Sequence, residues 1–198
     1  MSIRASGILS HALIDFEQIV KLPARLEVCT DLATRVADEY GQTRGAQQSA
    51  WRLGEWGIPD MATPEEQWAA REGPSIYGPA HTWIVFGERC LFVTTTAEWR
   101  IAIARPRLLE AVWKLLVSIG NVIGSETAVL WHDYGGLTWD WVQSGQSLSG
   151  IVLHIEKAGI ERAHQLIDLL DSGKTNPPPQ RYFAQRLKDE MPPSRGNG

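Results

Sequence analysis

The order strand, turn, strand, strand, helix is predicted twice along this chain, and it constrains the fold more than any single motif does. In the first unit, residues 81–86 and 90–95 are rich in β-branched and aromatic side chains and flank a glycine-containing turn, which predicts a β-hairpin. Residues 99–104 predict a third strand. Pro106 then opens a helix with a leucine-rich apolar stripe, and Gly120 is placed to end it.

The second unit repeats this order over residues 127–171. Residues 127–132 and 137–142 flank another glycine turn and predict a second hairpin, 150–155 predict a strand, and 160–170 predict a helix. Together the two strand-strand-strand-helix units predict an α+β fold, with a mainly antiparallel sheet of about six strands and helices on one face.

Two N-terminal helices are predicted before these units. Apolar residues recur at helical spacing over 13–22 and again over 23–40, and Gly41 is placed to end the second helix. Pro23 suits the first turn of a helix better than its middle, so we expect a helical hairpin that is broken at this residue.

Residues 42–80 form a segment rich in glycine and proline that also contains Trp51, Trp56 and Trp68. A Thr-x-x-Glu capping box, with proline at the first helical position, predicts one short helix that begins at 63–66. Long irregular segments in compact domains are either functional or disordered, and the tryptophans argue against disorder. We therefore expect a flap that packs over another part of the molecule.

The C-terminal residues 174–198 are predicted to form an arm that follows a single α+β domain of residues 1–173. Three consecutive prolines at 177–179 make a stiff, extended spacer. A short helix is predicted over 180–191. Its apolar side chains can dock on the body of the protein, and they are Tyr182, Phe183 and Leu187.

Composition argues against several kinds of partner. The net charge is −4, the pI is near 5.7 and the chain has no basic run, so we expect no nucleic acid partner. No apolar run reaches the ~20 residues that span a bilayer, and the N-terminus is a poor signal peptide. Cys29 and Cys90 lack C-x-x-C spacing, so we expect a cytoplasmic protein in a reducing compartment, with no membrane partner.

The sequence contains few patterns that are typical of catalysis or metal binding. It has no Walker loop or dinucleotide fingerprint, and its five histidines lack metal-ligand spacing, so we expect no cofactor and no metal. The best enzyme-like cluster is His132, Asp133 and Tyr134, because a histidine beside a carboxylate can act as a general base. The same residues also fit ordinary turn chemistry, since adjacent strand residues point to opposite faces and aspartate is favoured in turns.

Strand alternation places a set of aromatic side chains on the sheet face that points away from the predicted helices. Of the nine tryptophans, Trp83 and Trp131 belong to this face, and Phe92 and Asp140 join them. The face is too apolar to be left bare. Either the flap covers it, bringing Trp56 with it, or a partner does.

These features predict a non-enzymatic protein-binding or inhibitor-type protein, for example an immunity-like or adaptor protein, whose partner is another protein. Its expected contact residues are Trp83, Phe92, Trp131, Asp140 and Trp56. The alternative is a small enzyme or ligand-binding protein with a pocket under the 42–80 flap, using His132, Asp133 and Asp140. The sequence leaves the oligomeric state open.

Overall fold

Within the part of the chain that the structure describes, an eight-stranded sheet forms the middle layer and helices cover both of its faces. The structure is a computed structural model and describes residues 4–12, 16–41, 50–54, 74–132, 137–158, 161–162 and 181–187. The strands are β1 (Arg4–Ser10), β2 (Arg52–Leu53), β3 (Ser75–Tyr77), β4 (Trp83–Phe86), β5 (Cys90–Glu98), β6 (Thr127–His132), β7 (Glu161–Arg162) and β8 (Arg181–Arg186).

The strand order in the sheet is β2-β3-β4-β5-β1-β6-β8-β7. All neighbouring strands are antiparallel except β7 and β8, which are parallel. The predicted combination of helices with a mainly antiparallel sheet is therefore confirmed.

The described helices are α1 (Phe16–Leu26), α2 (Thr30–Tyr40), α3 (Trp99–Ala104), α4 (Pro106–Ile123), α5 (Leu137–Gln143) and α6 (Leu148–Lys157). Helix α4 begins at the predicted proline but continues through Gly120, and Gly124 ends it in the left-handed conformation. None of these helices is long and apolar enough to cross a membrane.

Helices α1 to α4 cover one face of the sheet and bury the larger core. The apolar stripe of α4 supplies much of it, through Leu108, Leu109, Val112, Leu115, Leu116 and Ile119. Alternate positions of the strands face this stripe, among them Leu9, Ile84, Phe86, Leu91, Val93 and Leu130. Since full burial of one such side chain contributes about 1.5–3 kcal/mol, this layer supplies most of the hydrophobic stabilisation.

Helices α5 and α6 cover the opposite face, so the prediction of helices on one face is wrong. They bury a second core that consists of Ile8, Cys90, Phe92, Val129, Trp131, Val142, Ile151, Ile155 and Tyr182. Residues 137–142 and 150–155, which were expected to be strands, are therefore helical. Short apolar runs fit either period, and here the buried positions recur at four-residue spacing.

The N-terminal part of the chain differs from its prediction in two ways. A strand that was not predicted, β1, lies in the middle of the sheet between β5 and β6. Helix α1 continues through Pro23 to Leu26, and a 3-10 turn at Glu27–Cys29 separates it from α2. The predicted break at Pro23 is therefore wrong, and the two helices meet three residues later than expected.

Two further elements change type. Residues 99–104 form helix α3 rather than a strand, with Trp99 and Ala102 buried on the same side. The predicted C-terminal helix is instead strand β8, which pairs with β6. Tyr182 and Phe183 are adjacent and both buried, one in each core, which is typical of a strand covered on both faces.

Other predictions fall on residues outside the described ranges. They are the flap over 42–49 and 55–73 with its short helix, the proline spacer, and residues 163–170 of the predicted helix. The described residues of that helix, Glu161–Arg162, form strand β7 instead, paired with β8.

Candidate functional site

One register row crosses six neighbouring strands on the face that α5 and α6 cover. Paired positions link each member of the row to the next. Because directly opposed residues in antiparallel strands point to the same side, their side chains form a line across the sheet. This cross-sheet row consists of Arg52, Tyr77, Trp83, Thr94, Ser6 and Trp131.

A stack of three aromatic rings stands on one half of the cross-sheet row. The rings of Tyr77 and Trp83 are nearly parallel, with centroids 6.2 Å apart. Trp139 of α5 stacks on Trp83 with centroids 5.3 Å apart and an interplanar angle of 22°. All three side chains are half-buried, so part of each remains accessible. We call Tyr77, Trp83 and Trp139 the aromatic stack.

The other half of the row anchors α5 and α6 to the sheet. Trp131 is 1 % exposed, and its Nε1 donates a hydrogen bond to Oγ1 of Thr138 at 2.7 Å. Trp141 stacks on Trp131, and His154 of α6 stacks on Trp141 at 5.4 Å. These contacts hold α5 in place, and α5 in turn holds Trp139 against Trp83.

A second hydrogen bond fixes α6 over strand β8. The buried Tyr182 hydroxyl donates to Oε1 of Glu156 at 2.5 Å. Because this bond involves a charged acceptor, it is stronger than a bond between neutral groups. The helical layer on this face is thus attached at both ends.

Two arginines place positive charge on either side of the aromatic stack, Arg52 on β2 and Arg4 on β1, with β3, β4 and β5 between these strands. Arg52 is opposite Tyr77 in the register, and Arg4 lies on the same face of β1; both are exposed. Burial raises the pKa of the Tyr77 hydroxyl well above its ordinary value, and the charges of Arg4 and Arg52 lower it in part. The hydroxyl therefore stays protonated beside two cations.

The turn that joins β3 to β4 lies next to this stack and is strained. The Thr82 N–H donates to the Pro79 carbonyl at 3.1 Å, which closes the turn. Ala80 and His81 both take positive φ, at 57° and 54°. Left-handed backbone costs an L-residue about 1–2 kcal/mol, and glycine would avoid that cost.

Trp51 explains how this turn is held. A Cβ atom on Gly78 would lie 2.3 Å from the Trp51 ring, so only glycine allows the ring to pack this closely. The Trp51 Nε1 donates to Oγ1 of Thr30 at 3.2 Å, which ties the ring to α2. The surrounding packing, rather than the turn sequence, fixes the conformation of Ala80 and His81.

Replacing His81 by glycine is expected to raise the free energy of unfolding by about 1 kcal/mol, because glycine takes φ near 54° without strain. Urea denaturation followed by circular dichroism measures the change. The control is His154→Gly, which should lower stability by about 1 kcal/mol, because glycine is unfavourable inside helix α6 and the ring that stacks on Trp141 is lost. A loss of stability in both variants would contradict the strained turn.

The structure separates the residues that were predicted to form the contact surface. Phe92 and Trp131 are 2 % and 1 % exposed and lie beneath the helices. Trp83 is half-buried in the aromatic stack, and Asp140 is exposed on α5 beside Trp139. Trp56 lies outside the described residues.

Sequence reasoning missed four members of this site. Tyr77 belongs to the segment that the sequence predicts to be irregular, and Trp139 belongs to residues 137–142, which it predicts to be a strand. No sequence pattern marks Arg4 or Arg52 as part of the site, because only strand pairing brings them there.

The enzyme-like cluster of His132, Asp133 and Tyr134 begins at the end of β6. His132 ends β6, but its side chain lies outside what the structure describes, as do Asp133 and Tyr134. Among the described residues, no group of three or more histidine, cysteine, aspartate or glutamate side chains is placed to hold a metal ion.

Both cysteines are buried and should be unreactive in the folded protein. Burial raises the pKa of Cys29, which the Ser118 hydroxyl lowers in part, and burial raises the pKa of Cys90 to about 12, against the opposing charge of Arg89. Since the thiolate is the nucleophile, an aromatic disulfide reagent at mildly alkaline pH should label neither thiol until the chain is unfolded.

The control is Val28→Cys, because Val28 is 72 % exposed and a thiol there should react at once. Reaction of Cys90 in the folded protein would contradict the packing of β5 under α5.

The raised pKa of Cys90 also predicts that stability depends on pH. Above pH 9.0 the Cys90 thiol ionises in the unfolded chain but not in the folded protein, so the free energy of unfolding falls as the pH rises. The fall ends near pH 12, where the thiol ionises in the folded protein too.

No protein-family model, curated protein or solved structure matches this chain.

Proposed function

We propose that this chain is a non-enzymatic protein-binding protein, of the inhibitor, immunity or adaptor type, whose contact surface is the aromatic stack. The observation that carries the proposal is the partial exposure of three stacked rings held by a packed helix. Preorganised rings lose little conformational entropy when a partner covers them.

The composition of the surface supports a protein partner. Tryptophan, tyrosine and arginine dominate the hot spots of protein interfaces, and here Trp83, Trp139 and Tyr77 lie beside Arg4 and Arg52. The stack lies on strands β3 and β4 and helix α5, so it is held rigidly enough to fit the face of another folded protein.

The buried aromatic residues take a supporting part in this proposal. Phe92 lies beside Trp83 on the next row of the sheet, and Trp131 fixes α5 through Thr138. Both act on the contact surface through the helix and strands that they hold. The contact surface is thus smaller than the sequence suggested and lies closer to the β2 edge.

The test is capture of a partner with the tagged protein, followed by measurement of its affinity for purified variants by calorimetry. Trp83→Ala and Trp139→Ala should each weaken binding about 30-fold, as expected for a hot-spot loss of about 2 kcal/mol. Circular dichroism of each variant shows whether the fold is kept. If Trp83→Ala does not fold, Trp139→Ala on the helix surface carries the test.

The controls are apolar residues exposed elsewhere, Val28→Ala and Leu153→Ala, which are 72 % and 50 % exposed in the folded protein. They should bind as the wild type does. If the stack variants bind normally while a control variant loses affinity, the contact surface lies at the turn between α1 and α2 or on α6, and the proposal fails.

A further inference from the structure

We infer that the partner surface carries carboxylate side chains, which bind Arg4 and Arg52 while apolar groups cover the aromatic stack. This rests on the proposed function and adds the chemistry of the partner. The inference comes from the positions of the charged residues around the stack rather than from the overall charge of the chain, which is negative.

The two arginines flank the aromatic stack in the strand order, Arg52 on β2 and Arg4 on β1. Arg52 extends the cross-sheet row by one position beyond Tyr77, and Arg4 lies on β1 on the same face. Both are exposed, and the field of each reaches the Tyr77 hydroxyl. Guanidinium groups bind carboxylates through paired hydrogen bonds, so two of them on one face select an acidic surface.

The strained turn supplies a second observation at the same place. His81 lies between Tyr77 and Trp83, in the β3 to β4 connection, and its side chain is exposed. The exposed His81 ring, two residues before Trp83, adds a further hydrogen-bonding group beside the stack.

Nearby acidic residues restrict what can bind. Glu98 is opposite Arg4 in the register, and Asp140 is exposed beside Trp139. They interrupt the positive surface, so a long polyanion such as a nucleic acid backbone finds no continuous basic stripe. A partner with a few well-placed carboxylates next to apolar side chains fits this pattern better.

The experiment is selection of peptides from a random displayed library with the intact protein. Enriched peptides should contain aspartate or glutamate above the input frequency, adjacent to leucine or aromatic residues. A synthetic peptide of the enriched sequence should then bind the wild type, and binding should weaken as salt is raised. The Arg4→Glu and Arg52→Glu double variant should weaken binding about tenfold.

Glu98→Gln is the matched control, because it removes the negative charge opposite Arg4. Glu98→Gln should strengthen binding of the acidic peptide. It should not change the affinity for a peptide in which asparagine and glutamine replace the acidic residues. Absence of enriched peptides, enrichment without acidic residues, equal binding by the double variant, or tighter binding of a single-stranded oligonucleotide would each overturn the inference.

The two proposals fail in different ways. Peptides that depend on Trp83 but not on the arginines would leave the binding function standing and refute the acidic partner. Peptides that depend on Arg4 and Arg52 but not on Trp83 or Trp139 would instead refute the aromatic stack as the contact surface.

Discussion

Replacing Trp131 by alanine is expected to lower the free energy of unfolding by about 3–5 kcal/mol, as for other large aromatic residues removed from a core. The ring is 1 % exposed and packs between β6 and α5. Its removal leaves a cavity beneath the helix and deprives the Thr138 hydroxyl of its donor. Guanidinium denaturation followed by circular dichroism measures the loss.

Two milder variants separate packing from hydrogen bonding. Trp131→Phe keeps a ring but removes the N–H, and Thr138→Val removes the acceptor; each should cost about 1–2 kcal/mol. Trp139→Ala, which removes a half-buried ring from the same helix, should cost less than Trp131→Ala. If Trp131→Ala proved no more costly than Trp139→Ala, Trp131 would not be the residue that anchors α5.

The parts of the fold that could be predicted are those with strong local signals. The β4 and β5 hairpin pairs Trp83 with Thr94 and Phe86 with Leu91, and its turn lies at the glycine where the sequence placed it. Helix α4 combines a starting proline with a long apolar stripe. Each of these signals acts within about ten residues, so it does not depend on distant parts of the chain.

Elements that depend on distant partners could not be predicted. Strand β1 is covered on both faces and pairs with β5 and β6, which are 80 or more residues away. Residues 137–142 have two tryptophans and a valine, which fit a strand or a helix equally well. These residues form a helix because helical spacing lets Trp139 pack on Trp83 while Trp141 packs on Trp131.

The candidate site also combines a residue that local signals predict with residues that only long-range pairing brings together. Alternation along β4 placed Trp83 on the face opposite the predicted helices, and the structure puts it on the face opposite α1 to α4. Tyr77, Arg52 and Arg4 join it only through register between strands that are separated in sequence. A single sequence contains no signal for that register, because pairing partners are chosen by the whole sheet.

Gly87→Ala tests how α5 is seated on the sheet, and it is expected to lower the free energy of unfolding by about 2–3 kcal/mol. A Cβ atom on Gly87 would lie 2.3 Å from the carbonyl oxygen of Val142, which belongs to the backbone of α5. A backbone atom cannot rotate away as a side chain can, so the helix has to shift. The shift also moves Trp139 relative to Trp83, which near-ultraviolet circular dichroism detects.

Gly150→Ala is the matched control, because it adds the same methyl group in α6, where the nearest atom is the Ser147 hydroxyl at 3.4 Å. Alanine is favoured over glycine in helices by about 1 kcal/mol, so this variant should be as stable as the wild type or more stable.

The proposed contact surface depends on the same packing of α5 against the β4 to β5 turn. Gly87→Ala should therefore weaken partner binding even under conditions where the chain stays folded, whereas Gly150→Ala should not. Equal stability of the two variants would mean that α5 does not rest on the β4 to β5 turn, and the aromatic stack would lose the helix that completes it.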